Sequence, residues 1–290
     1  MLLSVLQANA VVMDVEANLR TLEEAAQRAA QAGADLLLTP ELFPVGYAPL
    51  RLREELDPAA LPAIRARLAG IARRNGIALV YSLPALAHAK TEASTEGAAW
   101  HISATLVDAT GAELLGYAKV HLFGREEREA FEAAAEPPAV VTVKGIRTSL
   151  LICYDIEFPE AARAAAARGA ELLLVPTALS AGFDAVPQVL VRARALESQL
   201  NVAYANHCGN EDMCTFGGGS VVAGPDGMLL AGAGEGPELL FAQVGAETVR
   251  AAREEVPYLR ERRPELYAAW EAGLPRDIGP AGRDAPRNGP

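Results

Sequence analysis

The chain has 290 residues, a formal net charge of -11, 51% hydrophobic residues and only 6% aromatic ones. That length suits one large α/β domain or two small ones, and an acidic chain repels phosphate backbones, which argues against a nucleic-acid partner. Three cysteines do not make a disulfide framework, and no apolar run approaches the ~18 residues of a membrane span, so a reducing, cytoplasmic setting is expected.

The N-terminus lacks the basic start of a secretory leader. Residues 2–8 form an apolar run that predicts a buried strand. Residues 14–31 place Val15, Leu19, Leu22, Ala25, Ala26 and Ala29 at helical spacing, and Gly33 stops that helix. A short buried strand is expected over 35–38, ended by Pro40. Residues 58–74 predict a second helix, 77–82 a third strand and 98–107 a longer one. Asp108-Ala-Thr-Gly111 reads as a hairpin turn into a strand over 113–119.

A second hairpin joins 140–143 to a strand over 147–153. A helix to residue 168, a strand over 171–175, a helix over 186–199 and a strand over 202–206 follow. The glycines Gly217, Gly218 and Gly219 predict a close backbone approach before a strand. A hairpin from 220–223 to 228–230, a last strand over 239–244 and a helix over 246–254 complete the order. Helices alternate with short apolar strands, but hairpins intervene, so the expected fold is α/β with mixed sheets. A folded domain over 1–272 is expected to end in a Gly/Pro-rich tail over 273–290.

One pattern repeats. Ala32-Gly-Ala-Asp-Leu-Leu-Leu-Thr-Pro-Glu41 matches Arg168-Gly-Ala-Glu-Leu-Leu-Leu-Val-Pro-Thr177. Each reads as helix, glycine cap, buried strand and proline. This is either common αβ grammar or two equivalent units whose strand ends face one cleft, which would place Glu41 and Thr177 at matching positions.

Cys153 stands where an apolar run meets the polar Tyr154-Asp-Ile-Glu157, just before the helix start Phe158-Pro159-Glu160. It can be a small buried hydrophobe or a nucleophile beside backbone N–H groups that stabilise an anion. Glu41 sits among apolar residues and can be a solvated carboxylate or a desolvated base. The basic residues are 23 Arg and only three Lys (Lys90, Lys119 and Lys144). Lys119 ends a strand and can guard an edge or bring a compact positive charge to a cleft.

All three residues end comparable strands, where ligands of layered α/β folds gather. Together they suit a thiol attacking a carbonyl carbon, a carboxylate shuttling its proton and an ammonium holding the oxyanion. A papain-like pairing of Cys153 with His88, His101, His121 or His207 has no telling context. His207, Cys208 and Cys214 lack metal-ligand spacing, and the glycines at 232–236 precede a strand rather than a helix, unlike a dinucleotide loop.

Pro40-Glu41-Leu-Phe, Tyr117-Ala-Lys119-Val-His-Leu-Phe and Cys153-Tyr-Asp-Ile-Glu-Phe-Pro-Glu resemble, in order, the Glu, Lys and Cys motifs of the nitrilase superfamily of carbon–nitrogen hydrolases. The resemblance runs from about Leu2 to about Tyr267. It implies a four-layer α-β-β-α sandwich, a homodimer formed through helices, no cofactor and no metal. It also implies Glu41 as general base, Lys119 as oxyanion-stabilising cation and Cys153 as nucleophile. The family's second glutamate falls on Glu127, by its offset from Phe131, with Glu126 as rival.

Segments at 176–179, 191–199, 204–209 and 258–267 are most similar to the amidase branch that includes stereoselective amidases. The implied reaction converts a carboxamide to an acid and ammonia through a thioester, with the Tyr154 N–H as a second oxyanion donor; position alone suggests Tyr47, Thr177 and Ala178 as pocket walls. The alternatives are a nitrilase and an N-carbamoyl amino acid hydrolase using the same residues. The latter needs a cationic pocket, for which Arg192 and Arg194 are the nearest candidates. A non-catalytic scaffold that kept the fold is a further alternative.

Overall fold

The computed structural model describes residues 1–86 and 100–272. His88, Lys90 and the expected tail over 273–290 lie outside the described residues. Two βαβαβ units organise the chain. In the first, β1 (Leu2–Gln7), α1 (Val15–Gln31), β2 (Leu36–Leu38), α2 (Pro49–Glu55), α3 (Leu61–Asn75) and β3 (Ala78–Leu86) follow in order, and the three strands pair in parallel. The strands β4 (Trp100–Val107) and β5 (Glu113–Ala118) then extend the sheet antiparallel.

After α4 (Gly124–Ala130) the hairpin of β6 (Val140–Val143) and β7 (Ile146–Leu150) starts the second unit. There α5 (Pro159–Ala167) leads into β8 (Leu172–Pro176), and α6 (Val191–Ser198) leads into β9 (Asn201–Ala205). The strands β7, β8 and β9 are again parallel. A separate hairpin, β10 (Cys208–Glu211) with β11 (Cys214–Gly217), precedes the antiparallel pair β12 (Val221–Ala223) and β13 (Leu229–Gly232). The last strand, β14 (Glu238–Gln243), returns to pair with β1 before α7 (Ala246–Glu255), α8 (Tyr258–Glu261) and α9 (Pro264–Glu271).

The result is two six-stranded sheets, ordered β14-β1-β2-β3-β4-β5 and β13-β12-β9-β8-β7-β6. They face each other, with β1 against β9, β2 and β3 against β8, and β5 against β7. The helices α1 and α3 cover one outer face and α5 and α6 the other, giving the expected four-layer α-β-β-α sandwich. Central strands covered on both faces must be apolar throughout, and Leu36, Leu37, Leu38, Leu172, Leu173 and Leu174 are all fully buried.

Local chemistry sets the element ends. The Asp14 carboxylate accepts the Ala17 N–H and caps α1, one residue inside the predicted start. Gly218 has φ +66, and a Cβ there would sit 2.6 Å from the Gly234 carbonyl oxygen, so the predicted close approach is real. Four short helices and one hairpin escaped the sequence reading: α2, opening on Pro49, α4, α8 and α9 each have eight residues or fewer, and the hairpin β10–β11 has strands of four residues each. The predicted single helix over 186–199 divides into a π-helical turn, Val186–Leu190, and α6, with Gln199 left-handed at its end.

Candidate active site

The strand leading to Cys153 stops earlier than the sequence predicts. The last residue of β7 is Leu150, and Cys153 opens a 3₁₀ turn, Cys153–Glu157, that feeds α5. Cys153 has φ +46. A side chain other than glycine in this left-handed region costs on the order of 1–3 kcal/mol and persists only where its surroundings fix it.

Those surroundings are specific. Asp155, fully buried, accepts the Tyr117 hydroxyl (2.9 Å), the His121 N–H (2.9 Å) and the Ile152 N–H (3.3 Å), and its Oδ1 lies 2.8 Å from His121 Nδ1. It thereby ties the cysteine turn to the segment on either side of Lys119. From the other side Arg194 donates through Nε to the Ile156 carbonyl (3.0 Å) and through Nη2 to the Glu157 carbonyl (2.6 Å). Arg192 donates to the Gly227 carbonyl (2.9 Å). Arg194 is buried and its guanidinium is committed to the Ile156 and Glu157 carbonyls and to the Glu197 carboxylate (3.2 Å), while Arg192 is tied through its Nε to the Gly227 carbonyl.

Glu41 follows β2 and Lys119 follows β5, and both are fully buried. Lys119 Nζ donates to Glu41 Oε1 and to Glu127 Oε1, each at 2.7 Å. Glu127 Oε1 also accepts the Tyr47 hydroxyl (2.6 Å), and its Oε2 accepts the Phe123 N–H (2.7 Å). Of the two adjacent glutamates, Glu127 is the one turned inward, while Glu126 is exposed. Glu41 Oε2 is buried with no hydrogen-bond partner, and the Cys153 thiol lies against the same carboxyl group. A buried carboxylate oxygen without a partner is costly, and a thiol proton is the natural one for it to receive.

The electrostatics follow from this burial. Desolvation raises Glu41, Lys119 opposes it and Glu127 adds to it, leaving the carboxyl pushed up to about 7. Desolvation works against the Lys119 charge, but Glu41, Cys153 and Glu127 outweigh it and hold the ammonium firmly protonated. Burial, reinforced by Glu41, pushes the Cys153 thiol well above its ordinary value despite Lys119. The resting sulfur is therefore a thiol, not the preformed thiolate that the helix-start position suggests, and it needs a base within reach. Burial and Glu127 likewise keep the Tyr47 phenol protonated, as its donated hydrogen bond requires.

The expected pocket residues fall into different places. The Ala178 N–H lies toward the Cys153 sulfur and works weakly against the rise that burial imposes on the thiol. The Thr177 carbonyl accepts the Glu41 N–H at 3.2 Å, so the matching ends of β2 and β8 do meet. Tyr47 bonds to Glu127 rather than serving as a bare wall. The Tyr154 ring packs edge-on against Phe123 and Phe158, and Phe123 in turn meets Phe183. The sequence reading missed Asp155, the anchor role of Arg194 and the buried pair His207 and Glu211, whose Nδ1 and Oε1 are 2.6 Å apart. Among the described residues no group of three or more His, Cys, Asp and Glu side chains could hold a metal ion.

A sandwich of this topology with a buried thiol, carboxylate and ammonium at its strand ends defines a cysteine-dependent hydrolase. The profile of the carbon-nitrogen hydrolase family matches residues 2–254. The chain is 41% identical over 261 residues to the hydrolase in the pqqF 5′ region of Pseudomonas protegens, covering 88% of this chain and 86% of that one. It is 31% identical over 231 residues to an (R)-stereoselective amidase of a Pseudomonas species, covering 79% and 80%.

An amidase from Nesterenkonia sp. AN1 superposes with a TM-score of 0.84 at 44% identity, over 93% of this chain and 99% of that one. A variant of that amidase carries the acetamide moiety of fluoroacetamide covalently added at its active-site cysteine, and another binds butyramide. The chain belongs to the carbon–nitrogen hydrolase family, within the nitrilase superfamily, and is an enzyme that cleaves carbon–nitrogen bonds.

Proposed function

We propose that the protein is a cofactor-free amidase that converts a small carboxamide to its carboxylic acid and ammonia through a thioester at Cys153. The observation that carries this reading is the unpartnered Glu41 Oε2 beside a neutral thiol, with Lys119 fixed between two carboxylates. Glu41 takes the thiol proton as the sulfur attacks the amide carbon. The carbonyl oxygen becomes an oxyanion, held by Lys119 and the Tyr154 N–H. Collapse breaks the carbon–nitrogen bond, and the Glu41 proton leaves with ammonia. Glu41 then activates the water that hydrolyses the thioester, releasing the acid and returning the proton to Cys153. Glu127 accepts from Lys119 and Tyr47 and fixes the ammonium in place.

Phe123, beside Tyr154, and Phe183, beside Phe123, expose their rings, which supports an amide whose substituent is apolar. The commitment of Arg192 and Arg194 to backbone carbonyls weighs against a carbamoyl amino acid. Ammonia release from a panel of aliphatic and aromatic amides, nitriles and N-carbamoyl amino acids tests the reading. Turnover of amides, abolished in Cys153→Ala, is the expected result. Turnover of nitriles alone, or full activity of the variant, overturns it.

The cellular setting belongs to the same proposal. Cys153, Cys208 and Cys214 are all free, which suits a reducing cytoplasm, and among the described residues no helix is long and apolar enough to cross a membrane. The exposed Tyr258 and Trp270 on α8 and α9 support pairing of two copies through this end. Light scattering checks it: a dimer is expected, and Trp270→Glu is expected to weaken it.

A further inference from the structure

His207 follows β9 and is fully buried, with the rings of Phe43 and Phe216 centred 5.5 Å and 5.0 Å away. Its Nε2 lies 2.6 Å from the main-chain carbonyl oxygen of Glu41. A carbonyl only accepts, so Nε2 carries the hydrogen and donates it. Its Nδ1 faces Glu211 Oε1 at 2.6 Å, and Glu211 is itself fixed, accepting the Ala10 N–H (2.8 Å) and the Tyr47 N–H (3.1 Å).

The bond to the Glu41 carbonyl falls at a strained point. Leu42, the next residue, has φ +54, a left-handed conformation that residues other than glycine rarely adopt because the Cβ crowds the following carbonyl oxygen. The carbonyl that His207 holds belongs to the peptide unit leading into that conformation, and the Val45 N–H holds the next carbonyl, that of Leu42, at 3.0 Å. Glu41 is thus gripped twice along its backbone, by Thr177 at its N–H and by His207 at its carbonyl. Glu211 reaches the other carboxylate as well, because Tyr47, whose N–H it accepts, donates its hydroxyl to Glu127.

We infer that His207, oriented by Glu211, is a positioning residue that fixes the Glu41 backbone so that the free carboxyl oxygen faces the Cys153 thiol. The inference rests on Glu41 acting as the base in the proposed reaction. The role is one of geometry, since His207 reaches the main chain of Glu41 and neither its carboxyl group nor Cys153.

Two amide substitutions separate this role from simple core packing. In His207→Gln the side-chain amide nitrogen stands near the Nε2 position and keeps a donor for the Glu41 carbonyl. In His207→Asn it stands near Nδ1, keeps the Glu211 contact and leaves that carbonyl unpartnered. Butyramide turnover (kcat and KM) and the rate of Cys153 alkylation by iodoacetamide are measured for both, with folding checked by circular dichroism.

His207→Asn is expected to lower kcat by about 10²-fold, the loss that a misplacement of ~1 Å brings, and to slow alkylation with KM little changed. His207→Gln is expected to stay within a few-fold of the parent in both. Equal losses in the two variants, or none in either, overturn the inference. Where His207→Asn does not fold, His207→Leu, which fills the space of the ring without a donor for the Glu41 carbonyl, is expected to show the same kcat-selective loss, and an unchanged kcat there overturns the inference too. A Glu41→Gln control separates the two levels. If it stays active, the base assignment and the positioning role both fall. If it is inactive while His207→Asn is active, only the positioning role falls.

Discussion

The ends of β2 and β8 are built alike and do different work. Each follows a helix stopped by a left-handed glycine, Gly33 (φ +78) or Gly169 (φ +91), then a buried leucine run and a proline. The first then delivers Glu41 into a cluster of charges. The second delivers Thr177, whose carbonyl supports the Glu41 N–H, and Ala178, whose N–H lies toward the Cys153 sulfur. One scaffold thus supplies a titrating side chain at one end and fixed backbone dipoles at the other. Shared grammar sets where a strand end points, and the residue that follows it sets whether that end carries chemistry or support.

The sharpest break of this contrast is a pair of substitutions at the matching positions. Glu41→Gln is expected to lower kcat by about 10²–10⁴-fold, the usual contribution of a positioned acid–base group. Thr177→Val, which keeps the backbone carbonyl, is expected to change kcat only a few-fold. Similar losses in an ammonia-release assay would erase the distinction.

Lys119→Ala tests the electrostatic side. It leaves Glu41 and Glu127 facing each other without their shared cation and is expected to cost about 3–5 kcal/mol in a denaturant titration, besides activity. Lys119→Arg is also expected to lose turnover, because a planar guanidinium does not fit a site built for a compact ammonium; near-normal rates would remove that argument.

The pH profile sharpens the same point. Glu41 is raised to about 7, and a protonated carboxyl cannot accept the thiol proton. The rate kcat/KM is therefore expected to fall as pH drops through about 7 and to level off above it. Thr177→Val should leave that midpoint in place. A profile flat from pH 5 to 8 would be incompatible with Glu41 as the base.

The smallest effect concerns the shared grammar itself. Gly33→Ala and Gly169→Ala should each destabilise by about 1 kcal/mol, because both sites need a positive φ. The second should cost somewhat more, since the new methyl must displace the Arg147 guanidinium. A thermal melt of each variant reads the difference.

Much of this was legible in the chain because it is local. Glu41, Lys119 and Cys153 each stand at the end of a predicted strand, and the repeated segment offered, beside common αβ grammar, a reading in which Glu41 and Thr177 face one cleft, where the Glu41 N–H does meet the Thr177 carbonyl. What stayed hidden depends on bonds between distant residues. Asp155 reads as one more acid in a polar turn until Tyr117 and His121 are folded against it. His207 has no partner in its own segment except Glu211, and its other bond joins it to a carbonyl 166 positions away. Arg194 reads as a free cation because nothing in a helical pattern shows that a turn's carbonyls will face it. The end of β7 was misplaced for a different reason: Leu151 and Ile152 continue the apolar run after the pairing has stopped, and apolarity does not record backbone direction.

The scarcity of lysine has a practical consequence. Lys119 is sealed at 0% exposure, while the Lys144 side chain is 63% exposed at the hairpin joining β6 and β7. Among the described residues Lys144 is thus the side-chain amine open to solvent. Of these two lysines, amine-directed coupling to a dye, a tag or a solid support would take Lys144 at that hairpin and leave the buried ammonium of Lys119 untouched.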